Sequence, residues 1–330
     1  MSERIVVIST GGTIASRYDA GLVRVVAVTR GEELIAALGA AADLPPLEID
    51  NFSTIASFDL SIEDATRLAH RINSVCARDD VTGVVVTQGT DTMEETSFLA
   101  ALLLRSDKPL VFTGAQLAAD EPQSDGPRNL RNAIRAACNE ALTGIGAVVC
   151  FNGELHAARD VAKTHASALE TFQSPGIGPL GVVDRDKVII RRHPAPLRRF
   201  TIDRLDKRVD LIKVALDMDD VFVHAALAAG AQGIVLEGSG RGHVTPKLVP
   251  SVHRLAKEGF PIVITSRCPV GRVEPIYGSK HGTGGRDLQD AGVIFGGDLK
   301  GTKARILLMV ALADAQARGD LKQVFADVAP

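Results

Sequence analysis

Short apolar runs alternate with longer segments of helical periodicity along the first half of the chain. The runs have the β-branched composition of buried strands, and they lie at 5–9, 81–87, 109–113 and 146–151. Helical spacing of the apolar positions is found at 32–38 and 62–76. Because parallel strands need a crossover connection that is usually a helix, this alternation favours a parallel sheet. The pattern predicts an α/β fold.

The alternation resumes after a basic, proline-containing segment without clear periodicity, at 191–208, which we interpret as a linker. Downstream, the predicted strands lie at 210–215, 233–237 and 261–265, and the predicted helices at 221–229, 246–257 and 302–315. The chain is therefore predicted to form two α/β domains with mainly parallel sheets. The larger N-terminal domain is placed at 1–190 and the smaller C-terminal domain at 209–330.

Two helix starts carry sequence signals. The segment Thr92-Met-Glu-Glu95 is a possible capping box ahead of an apolar helical stripe. Asp125-Gly-Pro127 places a proline near the first position of another predicted helix, where its missing N–H costs nothing. The first of these helices therefore directs its N-terminus at residues 87–91.

Composition and charge argue against several classes of partner. The 330 residues are 45% hydrophobic, with a formal net charge of -3 and a sequence pI near 6.3, so there is no electrostatic reason to expect nucleic-acid or anionic-membrane partners. No apolar run approaches the roughly 20 residues of a membrane span. Met1-Ser-Glu-Arg4 leads directly into a strand without the apolar segment of a leader. We expect a cytoplasmic protein without a membrane partner.

The cysteines and histidines are too scattered to indicate a metal site or a disulfide framework. Cys76, Cys138, Cys150 and Cys268 form no Cys-x-x-Cys pair. The eight histidines show no metal-ligand spacing with acidic residues. We predict no structural metal.

Two threonine-containing turns follow predicted strands. Thr10-Gly-Gly-Thr13 comes after Ile5–Ile8, and Thr87-Gln-Gly-Thr-Asp91 comes after 83–86. In open α/β sheets the carboxyl ends of strands form the crevice where ligands bind. Glycines allow close backbone approach, and amide N–H groups beside a hydroxyl can form an oxyanion site next to an activated alcohol. The pair of turns predicts a threonine nucleophile at this edge of the sheet.

A threonine hydroxyl is a poor nucleophile at neutral pH and needs a base or a relay of hydrogen bonds. Asp91 adjoins Thr90, and Lys163 lies in Asp160-Val-Ala-Lys-Thr164, just after another predicted strand. We expect all three side chains to converge on one crevice. Neutral lysine can take a proton from threonine, so Lys163 would serve if its surroundings lowered its pKa.

Other interpretations of the same residues stay open at this point. Thr-Gly-Gly-Thr alone is more often a tight turn or a phosphate cradle, and Asp91 at a strand-to-helix turn can be a helix cap. Lys163 alone would be a solvated surface lysine. Gly238-Ser-Gly-Arg-Gly-His243 only approximates a dinucleotide-binding turn, because its third glycine falls one residue early.

Taken together, Thr10–Ala15 and Thr87–Thr96 resemble the two signatures of bacterial-type L-asparaginases. The similarity continues through Lys108–Ala115, Asp125-Gly-Pro127, Asp160–Thr164 and Lys303-Ala-Arg305, so it spans nearly the whole chain. It implies hydrolysis of L-asparagine to L-aspartate and ammonia through an acyl-threonine intermediate, with glutaminase as a side activity and no cofactor. The family assembles as homotetramers of intimate dimers, with each site closed by a neighbour's C-terminal domain.

The resemblance also implies a role for individual residues. Thr13 matches the family nucleophile, and Thr90, Asp91 and Lys163 match the second threonine and its acid–base partners. The positions corresponding to substrate contacts are Gly12, Ser57, Phe58, Gly89 and Asp91. Among these, Asp91 is expected to bind the substrate's α-ammonium group and Ser57 its α-carboxylate, while backbone N–H groups near Gly12 and Thr90 would stabilise the oxyanion.

The sequence departs from the family pattern at two substrate-side positions. The family usually has a tyrosine in the mobile loop after the first turn, and its usual position falls among Leu22–Arg24; the only nearby tyrosine is Tyr18, which we take as its substitute. Phe58 occupies a position that is commonly glutamine, so the pocket loses a hydrogen-bonding group.

Further departures lie elsewhere in the chain. Arg241 and His243 replace common asparagines in the loop expected to reach a neighbouring subunit's site, and Glu274 and Tyr277 are the candidates for a customary glutamate. Cys76 matches one half of the disulfide of secreted members, but its partner position is Ser106. Loss of that disulfide is typical of a reducing compartment.

Three hypotheses follow. The first is an L-asparaginase acting on an amino-acid amide. The second is an amino-acid-binding or sensory protein that has kept the pocket and lost turnover, motivated by Tyr18, Phe58 and the missing glutamate. The third is the amidase subunit of a tRNA-dependent amidotransferase, which would normally carry an extra N-terminal domain, whereas this chain begins at its first strand.

Overall fold

The computed structural model describes residues 3–19, 21, 24–27, 30–39 and 44–329. The chain divides into two compact units, residues 1–199 and 200–330, and residues 191–208 contain neither a helix nor a strand. The prediction of two α/β domains with mainly parallel sheets is confirmed. The predicted domain bounds of 1–190 and 209–330 stay predictions.

The elements of the N-terminal unit follow the predicted alternation of strands and helices. Its strands are β1 (Arg4–Ser9), β2 (Ser16–Asp19), β3 (Arg24–Ala27), β4 (Leu47–Asn51), β5 (Val81–Thr87), β6 (Leu110–Thr113), β7 (Ala147–Phe151), β8 (Glu154–Ala157), β9 (Ala162–Lys163), β10 (Phe172–Gln173), β11 (Gly181–Asp184) and β12 (Lys187–Ile190). Its α-helices are α1 (Gly31–Ala36), α2 (Ile62–Cys76), α3 (Met93–Leu103) and α4 (Gly126–Ala137). Single turns of 3-10 helix lie at Thr13–Ala15, Ser57–Asp59 and Glu140–Leu142.

The main sheet of this unit has the order β12-β11-β8-β7-β6-β5-β1-β4 among the described strands. The strands from β4 to β7 are parallel, and β8, β11 and β12 extend the sheet in antiparallel fashion. Successive side chains of a strand point to opposite faces. Val85 therefore packs with Leu130 and Ile134 of α4, whereas Val84 and Val86 face the α2 and α3 side.

The register of the parallel strands aligns their carboxyl ends. Ser9 at the end of β1 pairs with Thr87 at the end of β5, and Thr87 pairs with Thr113 at the end of β6. Segments that leave these three strands therefore start side by side at one edge of the sheet. This is the edge at which the sequence predicts the site.

The C-terminal unit is a smaller α/β layer structure. Its strands are β13 (Val209–Lys213), β14 (Gly233–Gly238), β15 (Ile262–Ser266) and β16 (Ile294–Phe295), which pair in that order and are parallel. Its α-helices are α5 (Val221–Ala228), α6 (Val249–Lys257), α7 (Gly285–Ala291), α8 (Gly301–Ala313) and α9 (Leu321–Val328), with a 3-10 turn at Ala317–Gly319. Helices α5, α6 and α7 pack on one face of the sheet, and α8 lies against β13 and β14.

Two local predictions differ in detail from the structure. Thr92 precedes α3 but makes no side-chain cap, because its hydroxyl donates to the carbonyl oxygen of Ser57 at 2.9 Å; the capping-box prediction was wrong. The helix predicted from residue 246 begins at Val249. In contrast, α4 starts at Gly126 with Pro127 in its first turn, as predicted.

None of the described helices is long and apolar enough to cross a membrane. Within the same part of the chain, no group of three or more His, Cys, Asp or Glu residues is arranged to hold a metal ion.

Candidate active site

The two threonine-containing turns are packed directly against each other. The backbone N–H and the hydroxyl of Thr10 both donate to the carbonyl oxygen of Thr87, at 3.0 and 2.9 Å. Gly12 has a φ of +82°, in the left-handed region that favours glycine, and a Cβ at this position would overlap the backbone N and Cα of Gly89. The glycines of the two turns therefore permit a backbone approach that no other residue would allow.

Thr13 is presented at the start of the 3-10 turn Thr13–Ala15 and is half-buried. The turn is closed by hydrogen bonds from the Ala15 N–H and the Ser16 hydroxyl to the carbonyl oxygen of Gly12, at 2.9 and 2.8 Å. Within the described part of the chain, no hydrogen bond engages the Thr13 hydroxyl itself. The structure thus holds the backbone of Thr13 firmly while its hydroxyl is available for a ligand.

Thr90, Asp91 and Lys163 form one connected group, as predicted. The Lys163 Nζ donates to the Thr90 Oγ1 at 2.8 Å and forms an ion pair with the Asp91 Oδ1 at 2.6 Å. Thr90 is buried, with 4% exposure, whereas half of the Asp91 side chain is open to solvent. Lys163 does not come directly after a strand, as the sequence suggested, because β8 ends at Ala157 and Lys163 lies within the two-residue strand β9.

Ser57 lies beside the second turn. Its buried hydroxyl accepts a hydrogen bond from the Asp91 N–H at 3.1 Å, and it lies 2.6 Å from the position of a Cβ built on Gly89. Phe58 follows it in the 3-10 turn Ser57–Asp59, with 72% of the residue exposed. Ser57 therefore belongs to the connected group, whereas Phe58 presents its ring on the surface.

Tyr18 contributes to the β2–β3 hairpin, where its backbone pairs with Val25. Its side chain lies outside what the structure describes, and so do Leu22 and Val23, the first of the positions where the family's loop tyrosine was expected. The assignment of Tyr18 stays a prediction.

Two residues that sequence analysis missed also contact the group. The Thr90 hydroxyl donates to the Gln116 Oε1 at 3.1 Å, and the Glu94 Oε2 accepts a hydrogen bond from the Lys163 N–H at 2.7 Å. Gln116 follows β6, the next parallel strand beyond β5. Its position at the carboxyl end of a strand could therefore have identified it as a candidate site residue. The only indication for Glu94 in the sequence was that it is an acidic residue in the first turn of a helix. Such residues are common and do not by themselves indicate a site.

The position of the Gln116 amide is fixed on both sides. Its Nε2 donates to the carbonyl oxygens of Ala168 and Ala166 at 3.2 and 3.4 Å, so its Oε1 must face Thr90. The backbone N–H of Gln116 donates to the buried carboxylate of Asp125. The N-terminus of α4 thereby positions the loop that follows β6.

A threonine hydroxyl, a lysine ammonium, two carboxylates and an array of backbone N–H groups are thus gathered where two strands end. Comparison with known proteins agrees with this arrangement. The model of the asparaginase N-terminal domain matches residues 4–196, and that of the glutaminase/asparaginase C-terminal domain matches residues 208–325. The chain belongs to the asparaginase family.

Members of the asparaginase family from several bacteria are similar over nearly the whole chain. An L-asparaginase of Bacillus licheniformis is 36% identical over 319 residues, which cover 95% of this chain and 96% of that protein. A glutaminase-asparaginase of Pseudomonas fluorescens biotype A is 32% identical, covering 97% of this chain and 89% of the relative. The crystal structure of a probable cytoplasmic L-asparaginase from Campylobacter jejuni has a TM-score of 0.86 and 31% identity, covering 99% of this chain and 100% of that one.

In this asparaginase-family chain, the four residues singled out in the C-terminal domain form two contacting pairs. The Arg241 Nη1 donates to the Glu274 Oε2 at 2.6 Å, and the Arg272 Nη2 to the Glu274 Oε1 at 2.8 Å. The rings of His243 and Tyr277 meet edge to face with centroids 5.6 Å apart. The Glu274 carboxylate is therefore held between two guanidinium groups, a setting that the sequence did not reveal.

Cys76 is a buried free thiol near the Ser106 side chain. Burial raises the pKa of the Cys76 thiol to about 11, although Lys108 and Ser106 oppose that rise. The thiol is therefore protonated and unreactive at neutral pH. All four cysteines are free in the described part of the chain.

Proposed function

We propose that this protein is an L-asparaginase that hydrolyses L-asparagine to L-aspartate and ammonia through an acyl-threonine intermediate. The observation that carries the proposal is the contact of one lysine ammonium with both Thr90 and Asp91, at 2.8 and 2.6 Å, beside the turn that presents Thr13. A hydroxyl nucleophile needs such neighbours to handle its proton. The activities named for the Bacillus licheniformis and Pseudomonas fluorescens relatives support the same chemistry.

In the first half of the reaction, the Thr13 Oγ1 attacks the carbonyl carbon of the substrate's side-chain amide. The new C–O bond forms, the C–N bond breaks, and the proton lost by Thr13 ends on the leaving nitrogen, so that ammonia departs. In the second half, water attacks the acyl ester, and one of its protons returns to the Thr13 oxygen as aspartate leaves. Thr90 and Lys163 carry these protons. Both side chains return to their initial protonation state after each half of the reaction.

The two turns supply the donors that stabilise the negative charge on the carbonyl oxygen. The Thr10 N–H is already bonded to Thr87, and the Asp91 N–H to Ser57. The N–H groups between them in each turn, near Gly12 and at Gly89 and Thr90, are therefore the proposed oxyanion donors. Backbone donors of this kind are fixed before the charge develops and cost no reorganisation.

Recognition of the amino-acid end is assigned to Asp91 and Ser57. The exposed part of the Asp91 carboxylate would bind the α-ammonium group, and the Ser57 hydroxyl the α-carboxylate. Phe58 offers no hydrogen bond at its position, so we expect weaker affinity for the amino acid. The name of the Pseudomonas fluorescens relative supports L-glutamine as a second, poorer substrate.

The remaining site assignments are proposals by family correspondence. Tyr18 is assigned the part of the family's loop tyrosine. Glu274, held by Arg241 and Arg272, and Tyr277 are assigned the place of the glutamate that a neighbouring subunit supplies. These residues would complete the site in the assembled protein.

The decisive experiment measures ammonia release from L-asparagine, L-glutamine and D-asparagine by the wild type and by Thr13→Ala. We expect turnover of L-asparagine, a slower reaction with L-glutamine, and a loss of kcat of at least about 10³-fold in the variant. The melting temperature should stay close to that of the wild type, because the substitution removes one half-buried hydroxyl.

A matched control is Thr82→Ala, which removes a half-buried hydroxyl from β5 far along the strand from its carboxyl end. It should keep wild-type kcat. Equal turnover by Thr13→Ala and the wild type would refute the assignment of the nucleophile. Binding of asparagine by a folded wild type that releases no ammonia would instead favour the sensory protein.

We also infer a homotetramer in the cytoplasm. The assembly is implied by the family, and the exposed apolar side chains of Leu216, Val221 and Phe222 support an interface. The cytoplasmic location is supported by the name of the Campylobacter jejuni protein and by the free thiol of Cys76 beside Ser106.

A further inference from the structure

Both ends of Lys163 are held by one short segment, residues 90–94. Its ammonium group contacts Thr90 and Asp91, at 2.8 and 2.6 Å. Its backbone N–H donates to the Glu94 Oε2 at 2.7 Å. The segment that forms the second threonine turn therefore fixes the main chain of the lysine as well as its side chain.

The chain order explains why Glu94 is in reach. The turn that ends at Asp91 leads directly into α3, whose second residue is Glu94. A carboxylate in the first helical turn is favoured by the helix dipole, so this position suits an anionic acceptor. Glu94 is half-buried and projects from the end of α3 that faces the turn.

Lys163 itself lies in an element with little support of its own. Strand β9 has two residues and, within the described part of the chain, pairs only with the equally short β10. A two-stranded hairpin is marginally stable without further contacts. The bond to Glu94 ties β9 to a helix that is buried in the unit's core through Met93 and Ala100.

The bond to Glu94 is of the strong kind. A hydrogen bond from an N–H to an ionised carboxylate is roughly twice as strong as one between neutral groups. A displacement of about 1 Å at a reacting group can cost on the order of 10²-fold in rate. Loss of the bond would let β9 shift and carry the Lys163 ammonium away from Thr90.

We propose that Glu94 is a positioning residue, which holds the main chain of Lys163 so that its ammonium group reaches Thr90 and Asp91 together. The consequence for catalysis rests on the proposed asparaginase function, whereas the contact itself does not. Glu94 acts through Lys163 and need not touch the substrate. The required feature is an oxygen acceptor at this position, and the negative charge of Glu94 makes the bond roughly twice as strong.

The test compares Glu94→Leu and Glu94→Gln by hydrogen–deuterium exchange and by steady-state kinetics. In Glu94→Leu, the peptide containing Lys163 should exchange on the order of tenfold faster. Its kcat for L-asparagine should fall on the order of tenfold or more while KM changes by less than about threefold, because Asp91 and Ser57 remain. Glu94→Gln keeps an oxygen acceptor and should restore both exchange protection and kcat to within about threefold.

The matched control is Glu63→Leu, because Glu63 is the second residue of α2 as Glu94 is of α3. Glu63→Leu likewise removes a carboxylate from the first turn of a helix. It should leave both the exchange of the peptide containing Lys163 and kcat unchanged. Unchanged exchange at Lys163 in Glu94→Leu would overturn the contact. Faster exchange in Glu94→Leu together with a wild-type kcat would overturn the positioning role but not the contact. Equal losses of kcat in Glu94→Gln and Glu94→Leu would also overturn the positioning role.

Exchange is measured without turnover, so it separates the two proposals. A wild type that releases no ammonia would refute the asparaginase function and the catalytic part of this role. The exchange comparison would still decide whether Glu94 holds Lys163. Should Glu94→Leu fail to fold, Glu94→Ser, which shortens the acceptor, provides the same comparison and the same expected faster exchange.

Discussion

At the scale of single residues, the site depends on positions where a side chain would prevent two turns from meeting. Gly12 combines a φ of +82° with a backbone contact to Gly89. A larger residue there would be destabilising for two reasons, because its backbone would be strained and its Cβ would overlap Gly89. Gly178 has the same φ of +82° but no neighbour within 4 Å of an added Cβ. The two glycines therefore share a left-handed φ, and of the two only Gly12 is crowded.

We predict that Gly12→Ala lowers the free energy of unfolding by about 2–5 kcal/mol, the sum of a left-handed backbone and an overpacked contact. Gly178→Ala should lower the free energy of unfolding by only about 1–2 kcal/mol, because only the backbone conformation is unfavourable for alanine there. Denaturant unfolding of both variants measures the difference. Activity should be lost in Gly12→Ala and kept in Gly178→Ala, and equal stability losses would contradict the close packing of the turns.

The residues of the site were predictable to the extent that they lie within the two turns or match the family. Thr90, Asp91 and Lys163 were expected to converge, and they do. Gln116 and Glu94 were not found, because their roles arise from contacts with residues 26 and 69 positions away in the chain. Such contacts depend on strand order and loop path, which spacing along the sequence does not encode.

At the scale of elements, an ion-pair cluster joins β1, β4 and the turn before β5. The Arg78 guanidinium binds both oxygens of Glu48, at 2.6 and 2.7 Å, and also reaches Asp80 at 3.0 Å. The Arg4 Nη1 donates to the Glu48 Oε2 at 3.3 Å. The hydrogen bonds from Arg78 hold the pKa of the Glu48 carboxyl below its ordinary value of 4.5, and they lower the pKa of Asp80 as well.

These pKa shifts predict a pH-dependent stability. Because the folded-state pKa of Glu48 lies below the unfolded one, its ion pairs stabilise the fold fully above about pH 4.5 and lose this effect as the pH falls through the lower folded value. Glu48→Gln should therefore melt a few degrees below the wild type at pH 7, and the difference should vanish at acid pH, where both side chains are neutral. Melting curves between pH 3 and pH 7 measure this.

The control is Glu63→Gln, on the exposed first turn of α2. Its melting temperature should follow the wild type across the same range. A difference between Glu48→Gln and the wild type that grows toward acid pH would contradict the assigned direction of the shift.

Elements were predictable where burial gives a clear pattern. Strand β5 and helix α2 have the bounds read from the sequence, since β5 is buried on both faces and α2 has a regular apolar stripe. The antiparallel strands β11 and β12 were missed. They are four residues long and partly exposed, so their apolar content does not distinguish them from loops.

At the scale of the whole molecule, the C-terminal unit exposes apolar surface beside an unpaired strand edge. Leu216 is 95% exposed and Phe222 59%. A cavity of about 530 Å³ lies between α5 and β13, and β13 is an edge strand within the described sheet. An edge strand next to exposed apolar residues is a template for association with another chain. In a protein expected to form homotetramers, a second copy is the partner to test.

We predict that Phe222→Glu weakens this association. Phe222 lines the cavity together with Ala225 and Ala226, on one face of α5, so a charge there would have to be buried at the interface. Light scattering should give about four times 34.8 kDa for the wild type and a smaller mass for the variant.

Ala228→Glu is the matched control, because Ala228 is exposed on the same helix and does not line the cavity. If neighbouring subunits complete each site, ammonia release should fall with the mass in Phe222→Glu and stay normal in Ala228→Glu. An unchanged mass in Phe222→Glu would place the interface elsewhere on the molecule.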